Sequence, residues 1–238
     1  DIYSSDIVYG SEKITIDDFL IINNGQELFV DGTISTERAD SLIVDLKNLD
    51  LELFSAITLK KGFSTHGSIN GSAQLRSVLK DPLIIADMLM DSVGINGIAA
   101  APLHFTSNWD FGSERAQMAL ENLRTGERVL KGYFRPSTGA FYADTINLRN
   151  IPILLAEPFL SGMVSDTEGT VDVVANAYRR ESGNPMLNGN IYLSGFKTGV
   201  DFTNVSYSLP ETVLEVNNNV VSLPSVRITD QEGNSGEL

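Results

Sequence analysis

Acid–base, nucleophilic and metal chemistry each need particular side chains at particular spacings, and this chain supplies few of them. It has two histidines, His66 and His104, and no cysteine. The histidines match no H-E-x-x-H spacing, and without thiolates no mixed zinc set is available. His66 precedes Gly67 and reads as a turn residue; His104 reads as a solvated strand position. No G-x-S-x-G elbow is present. Asp110-Phe111-Gly112 spells the magnesium triplet of kinases but lacks the glycine-rich and catalytic loops that give it meaning. Asp50 and Glu52 share a strand face, as a glycosidase pair would. They alternate with Leu49, Leu51 and Leu53, the pattern of an ordinary wet face, whereas glycoside hydrolysis needs carboxyls flanking a cleft. Asp230–Glu237 lacks the D-x-[DN]-x-[DN]-G spacing of a calcium loop. The expectation is a non-enzymatic protein with no catalytic residue, no metal and no cofactor.

Charge narrows the partners. Seventeen Lys and Arg stand against 31 Asp and Glu, a net charge of −14. Phosphate tracking needs clustered cations, and no such run occurs, which argues against nucleic acid. Adhesion to anionic headgroups is disfavoured for the same reason. The pairs Lys60-Lys61 and Arg179-Arg180 read as solvated surface. Apolar residues make up 42% of the chain, in the globular range. No stretch approaches the roughly 18 apolar residues of a spanning helix. No signal peptide is seen, and the chain opens on Asp1, so it reads as a processed or excised segment.

The dominant period is two. Ile14 and Ile16 alternate with Thr15 and Asp17; Leu42, Val44 and Leu46 with Asp45 and Lys47. Leu103, Phe105 and Trp109 follow the same rule less cleanly, and Val200, Phe202, Val205 and Tyr207 continue it. This predicts antiparallel strands with one dry and one wet face. Turn signals fall at Asn23-Asn24-Gly25, Thr125-Gly126, Ser182–Pro185 and Asn217–Asn219. The apolar parity slips between Leu46 and Leu49, and again between Leu148 and Ile151. A slip would turn every later side chain to the wrong face, so a bulge or tight turn is required at Asn48 and Asn150. Phe54–Lys61 and Ala156–Met163 lose the alternation and form either short helical plugs or irregular crossovers. Charges in mid-strand (Asp17, Asp45, Lys47, Asp50, Glu52) forbid lipid contact on the wet face, unlike the outside of a membrane barrel.

The chain also repeats itself at about one hundred residues. At an offset of 102, Val44, Leu46, Asn48, Leu49, Leu51 and Leu53 fall on Ile146, Leu148, Asn150, Ile151, Ile153 and Leu155. Gly67-Ser68-Ile69-Asn70 likewise falls on Gly169-Thr170-Val171-Asp172. The expected units are 12–112 and 113–214, with 215–238 opening a third. Fixed self-similarity marks a stacked, extendable architecture, so the expected fold is an all-β, elongated, curved antiparallel sheet forming a trough, with short helical segments.

The second half carries a family likeness. Gly169-Thr170-Val171-Asp172 is followed by Asn184-Pro185-Met186-Leu187-Asn188-Gly189-Asn190-Ile191-Tyr192-Leu193. Then come Val205-Ser206-Tyr207 and Val226–Asp230 with Gly233-Asn234. This order resembles the TamB-type translocation and assembly module, within the AsmA-like, repeating β-groove proteins. The likeness covers about 150 residues, and the first half through the repeat. It implies an apolar concave groove and a periplasmic location between the two membranes of a Gram-negative envelope, anchored in the inner membrane by a segment absent here. It also implies phospholipid carriage or outer-membrane protein assembly beside an Omp85-type barrel, contacted through regions outside this chain.

The candidate groove residues are Leu42, Val44, Leu46, Leu49, Leu51, Met88 and Met90, with Ile146, Leu148, Ile151, Ile153, Ile191 and Leu193. They either line a path for phospholipid acyl chains or pack against one another across a closed seam. Flexible thioethers at Met88 and Met90 suit irregular apolar guests. Two other readings are a chaperone-like scaffold pairing with strands of nascent barrels, and a secreted glycan-binding or adhesin solenoid. The last is disfavoured, because Trp109 stands alone and Tyr207 points inward.

Overall fold

A computed structural model describes residues 1–3, 6–54, 64–155, 162–181 and 183–237. The expected plugs at Phe54–Lys61 and Ala156–Met163 fall largely outside these residues; Leu51–Phe54 forms one 3-10 turn. The described residues are all-β. The strands are β1 (Ile2–Tyr3), β2 (Asp6–Tyr9), β3 (Ile14–Asn23), β4 (Gln26–Ile34), β5 (Ser41–Asp50), β6 (Thr65–Arg76) and β7 (Leu83–Ile95). There follow β8 (Ile98–Ala99), β9 (Leu103–Asp110), β10 (Arg115–Asn122), β11 (Arg128–Arg135), β12 (Ala140–Pro152) and β13 (Val164–Arg179). The last are β14 (Met186–Val200), β15 (Val205–Ser208), β16 (Thr212–Asn217), β17 (Val220–Ser222), β18 (Arg227–Asp230) and β19 (Ser235–Glu237).

They form a single open antiparallel sheet, built mostly as a meander in chain order. β14 is long enough to hold two neighbours, β16 along Gly189–Leu193 and β15 along Lys197–Val200. Among the described residues no pairing joins the first strands to the last, so the sheet does not close into a barrel. The hairpin signals act as their chemistry requires. Asn24 and Gly25 join β3 to β4 with φ of 48° and 80°, and Asn218 and Asn219 join β16 to β17 with φ of 48° and 67°. Two consecutive positive φ values match the right-handed twist of the flanking strands. Phe202 departs from the alternation: it sits in the turn between β14 and β15 and is 87% exposed. His66 is not in a turn but in β6, where its ring covers Gly94 on β7.

Both parity slips are bulges. Register breaks between Leu46 and Leu49 and between Leu148 and Ile151. Asn48 and Asn150 take φ of 48° and 51°, the left-handed region that asparagine tolerates better than most residues. Each spends its backbone N–H on a side chain of the next strand. Asn48 donates to Asn70 Oδ1 at 2.8 Å, and Asn150 to Asp172 Oδ1 at 2.7 Å. A third bulge, on β3, follows the same plan, with Asp18 at φ 46° donating to Asp31 Oδ1 at 3.2 Å. The extra residue of a bulge loses its ladder partner, and the Asx side chain replaces it.

Little of the apolar face is sealed. The accessible surface is 14196 Å² for 25.9 kDa, whereas a compact monomer of that mass exposes roughly 10,500 Å². Among the described residues the buried apolar side chains are Leu42, Leu49, Ala73, Leu83, Ala86, Ala116, Ala143, Val216 and Val226, four of them only alanine.

Candidate functional site

Directly opposed residues in antiparallel strands share a face, so the register can be followed across the sheet. One row begins at Ile2 and runs through Ile21, Leu28, Leu46, Gly71, Met88 and Phe105. It continues through Leu120, Leu130, Ile146, Ala175, Gly189, Val216 and Val221. Fourteen strands thus contribute one residue each, and none of the fourteen is polar. A parallel row holds Phe19, Val30, Val44, Ala73, Ala86, Ser107, Met118, Gly132, Ala143, Ala177 and Leu187. Its middle is built of small residues, which leaves a shallow floor beside the bulkier first row. Ser107, its only hydroxyl, is fully buried and donates to the Ile84 carbonyl at 2.9 Å.

The sequence candidates fall on this face. Leu46, Met88 and Ile146 stand in the first row and Val44 in the second. Leu42 lies between Gly32 and Leu75. Leu49 and Met90 stand in a third row with Ile69 and Leu103. Leu148 and Ile191 line up with Val173 and Leu214, and Ile151 and Leu193 with Val171 and Thr212. Leu51 falls in the 3-10 turn and Ile153 just beyond β12, so neither belongs to a strand row. Of the eleven on strands, only Leu42 and Leu49 are buried; the rest are half-exposed. Ile21, Ala175 and Val216 stand outside the alternation read from the sequence, and Phe105, which belongs to it, is not among the groove candidates; all four enter through the register.

On the opposite face the charged side chains pair with one another, while Ile43, Leu89, Val174 and Val213 stand exposed among them. Lys47 meets Glu27 at 2.7 Å, and His104 Nε2 lies 2.8 Å from Asp87 Oδ1. Arg149 reaches Asp172 at 3.1 Å. The Asn150 N–H, aided by Arg149 and opposed by partial burial, holds the Asp172 carboxyl below the usual carboxylate range. The acidic motifs turn out to be turn chemistry. Asp110 accepts from Ser113 Oγ and from the Gly112 and Ser113 N–H groups, all of which lower its pKa, while Phe111 is 70% exposed. Asp230 binds the backbone and side chain of Asn234 and the Glu232 N–H across the β18–β19 hairpin. Asp50 caps the Glu52 N–H at 2.9 Å. Among the described residues no three His, Asp or Glu side chains gather as a metal site would require, and no helix is long and apolar enough to cross a membrane.

Comparison with known proteins finds no matching family model, no matching curated protein and no matching solved structure.

Proposed function

We propose that this chain is a non-enzymatic segment of a TamB-type, AsmA-like envelope protein whose tandem units curve into a trough for phospholipid acyl chains. One observation carries the reading: an unbroken apolar row crosses fourteen strands on a face that is only half-buried. At about 4.8 Å per strand such a row spans roughly 60 Å. An acyl chain, half of a hydrocarbon core about 30 Å thick, covers about 15 Å of it. Several equivalent positions therefore follow one another, and each methylene withdrawn from water contributes about 0.8 kcal/mol wherever it sits. The matched bulges at Asn48 and Asn150 support the tandem-unit reading, since both re-phase the same strand pattern. The setting that goes with it is the space between two membranes.

Native mass spectrometry of the purified chain tests this. Bound phospholipid is the expected result, lost in the double variant Leu46→Asp with Ile146→Asp. Delipidated chain that takes up no phospholipid from vesicles would sink the proposal. A second reading, pairing with strands of nascent barrels, draws on the exposed edges. Ile7, Val8 and Tyr9 on β2, and Val220 and Val221 on β17, all face solvent. Such edges are templates for strand addition. Cross-linking of unfolded barrel segments to β2 or β17, without lipid, would favour that reading.

A further inference from the structure

The polar face holds a feature that the distribution of aromatics along the chain conceals. Tyr133, Tyr142 and Tyr178 stand opposite one another on β11, β12 and β13, in one registered row that begins with Asn108 and Gln117. The Tyr133 and Tyr142 rings are 5.7 Å apart, and the Arg115 guanidinium lies 4.4 Å from the centre of the Tyr133 ring. Two adjoining depressions, of about 370 and 420 Å³, share Tyr133 and Tyr142. The first is bordered by Arg115, Arg128 and Lys131 with Asp144; the second by Arg179 and Arg180 with Glu181. With their ion-pair partners Asp110, Glu121 and Arg135 included, six cations stand against four carboxylates, a local charge of +2 on a chain whose net charge is −14. Among the described residues Arg179 and Arg180 make no ion pair.

We infer that this strip is a binding site for an acidic oligosaccharide, on the face opposite the apolar rows. Tyrosine rings present flat apolar bodies and phenolic hydroxyls to pyranose rings; Tyr142 is the most exposed of the three at 40%, and the Tyr178 hydroxyl also donates to Asn218 Oδ1 at 3.4 Å. Their spacing, one strand at about 4.8 Å, suits successive sugars of an extended glycan. Asn108 and Gln117 supply donors and acceptors for ring hydroxyls. Uronate carboxylates find guanidinium groups able to bind them bidentately. A nucleic acid would meet the same cations, but no run of clustered cations continues beyond the strip to track a phosphate backbone. The inference does not rest on lipid carriage: the tyrosines and the charged side chains of the strip stand outside the apolar rows, and only Met118 and Gly132 of the second row also border the first depression.

The test titrates the whole chain with tetragalacturonate, with cellotetraose as the neutral control, followed by calorimetry and by NMR of the tyrosine ring signals. Expected are salt-sensitive binding of the uronate, weak or no binding of cellotetraose, and shifts at Tyr133, Tyr142 and Tyr178. Tyr142→Ala should weaken binding about tenfold. The double variant Arg115→Gln with Arg179→Gln should reduce the salt dependence while lipid content stays unchanged. Should Tyr142→Ala fail to fold, the ring shifts of the unaltered chain still decide the matter. No uronate binding, equal affinity for both sugars, or preference for a single-stranded oligonucleotide would each overturn the inference.

Discussion

Leu46 and Asp45 are neighbours in β5, yet they belong to surfaces built by different rules. Leu46 stands in a row that is apolar across the sheet. Asp45 stands in one that runs through Ser72, Asp87, Thr106 and Ala119 to Lys131, polar at every one of these positions but Ala119. The polar face also carries the side chains that hold the bulges, Asp31, Asn70 and Asp172. The difference teaches a division of labour. Apolar residues offer the surface that a guest would touch, while Asx residues on the other side keep successive strands in phase so that this surface stays continuous.

The sharpest way to break the contrast is at a glycine within the apolar row. Gly71 has φ 138°, and a Cβ there would lie 2.1 Å from the Asp87 carbonyl oxygen. Gly71→Val should cost more than about 3 kcal/mol, whereas Ser72→Val, one position along on the wet face, should cost less than about 1 kcal/mol. Urea midpoints measure both. Next is the pair Leu46→Asp and Asp45→Leu. The first should lose about 2 kcal/mol and its lipid; the second should stay within about 0.5 kcal/mol of the parent and keep lipid.

The bulge clamps come third. Asn70→Ala and Asp172→Ala should each cost about 1 kcal/mol, the worth of one hydrogen bond to an otherwise unpaired N–H. They differ in acid. The Asp172 carboxyl is depressed in the folded chain, so its stabilisation is present above the unfolded value near 3.8 and disappears as pH falls through the lower folded value. Asp172→Asn should therefore flatten the loss of stability between about pH 4 and pH 2, whereas Asn70→Ala should lower stability equally at both. The smallest effect is expected from Lys47→Ala. Both partners of that ion pair are exposed, so less than about 0.5 kcal/mol should be lost, and less still in high salt.

Much of this was legible along the chain, and for a physical reason. Parity is a local property: Leu46-Lys47-Asn48-Leu49 announces a bulge without any knowledge of the neighbouring strand, and Asn24-Gly25 announces its hairpin. The bulge at Asp18 was equally written, in the step from Ile16 to Phe19, though only the structure drew it out. What the sequence conceals is register. Tyr133, Tyr142 and Tyr178 are scattered along the chain, and hydrogen-bond pairing alone brings them into one row. Trp109 and Tyr207, the aromatics weighed along the chain, give no sign of that row. The same pairing joins Phe105 to Leu120 and Met88, which no periodic pattern links.

The thinly covered apolar face has a thermodynamic consequence. Heat capacity rises on unfolding because apolar groups newly meet water, at about 12–15 cal/mol/K per residue for compact domains. Here many such groups are hydrated beforehand, so calorimetry should record a smaller increment, and with it a flatter dependence of stability on temperature. Saturating that face with a guest should restore the missing increment and steepen the curve.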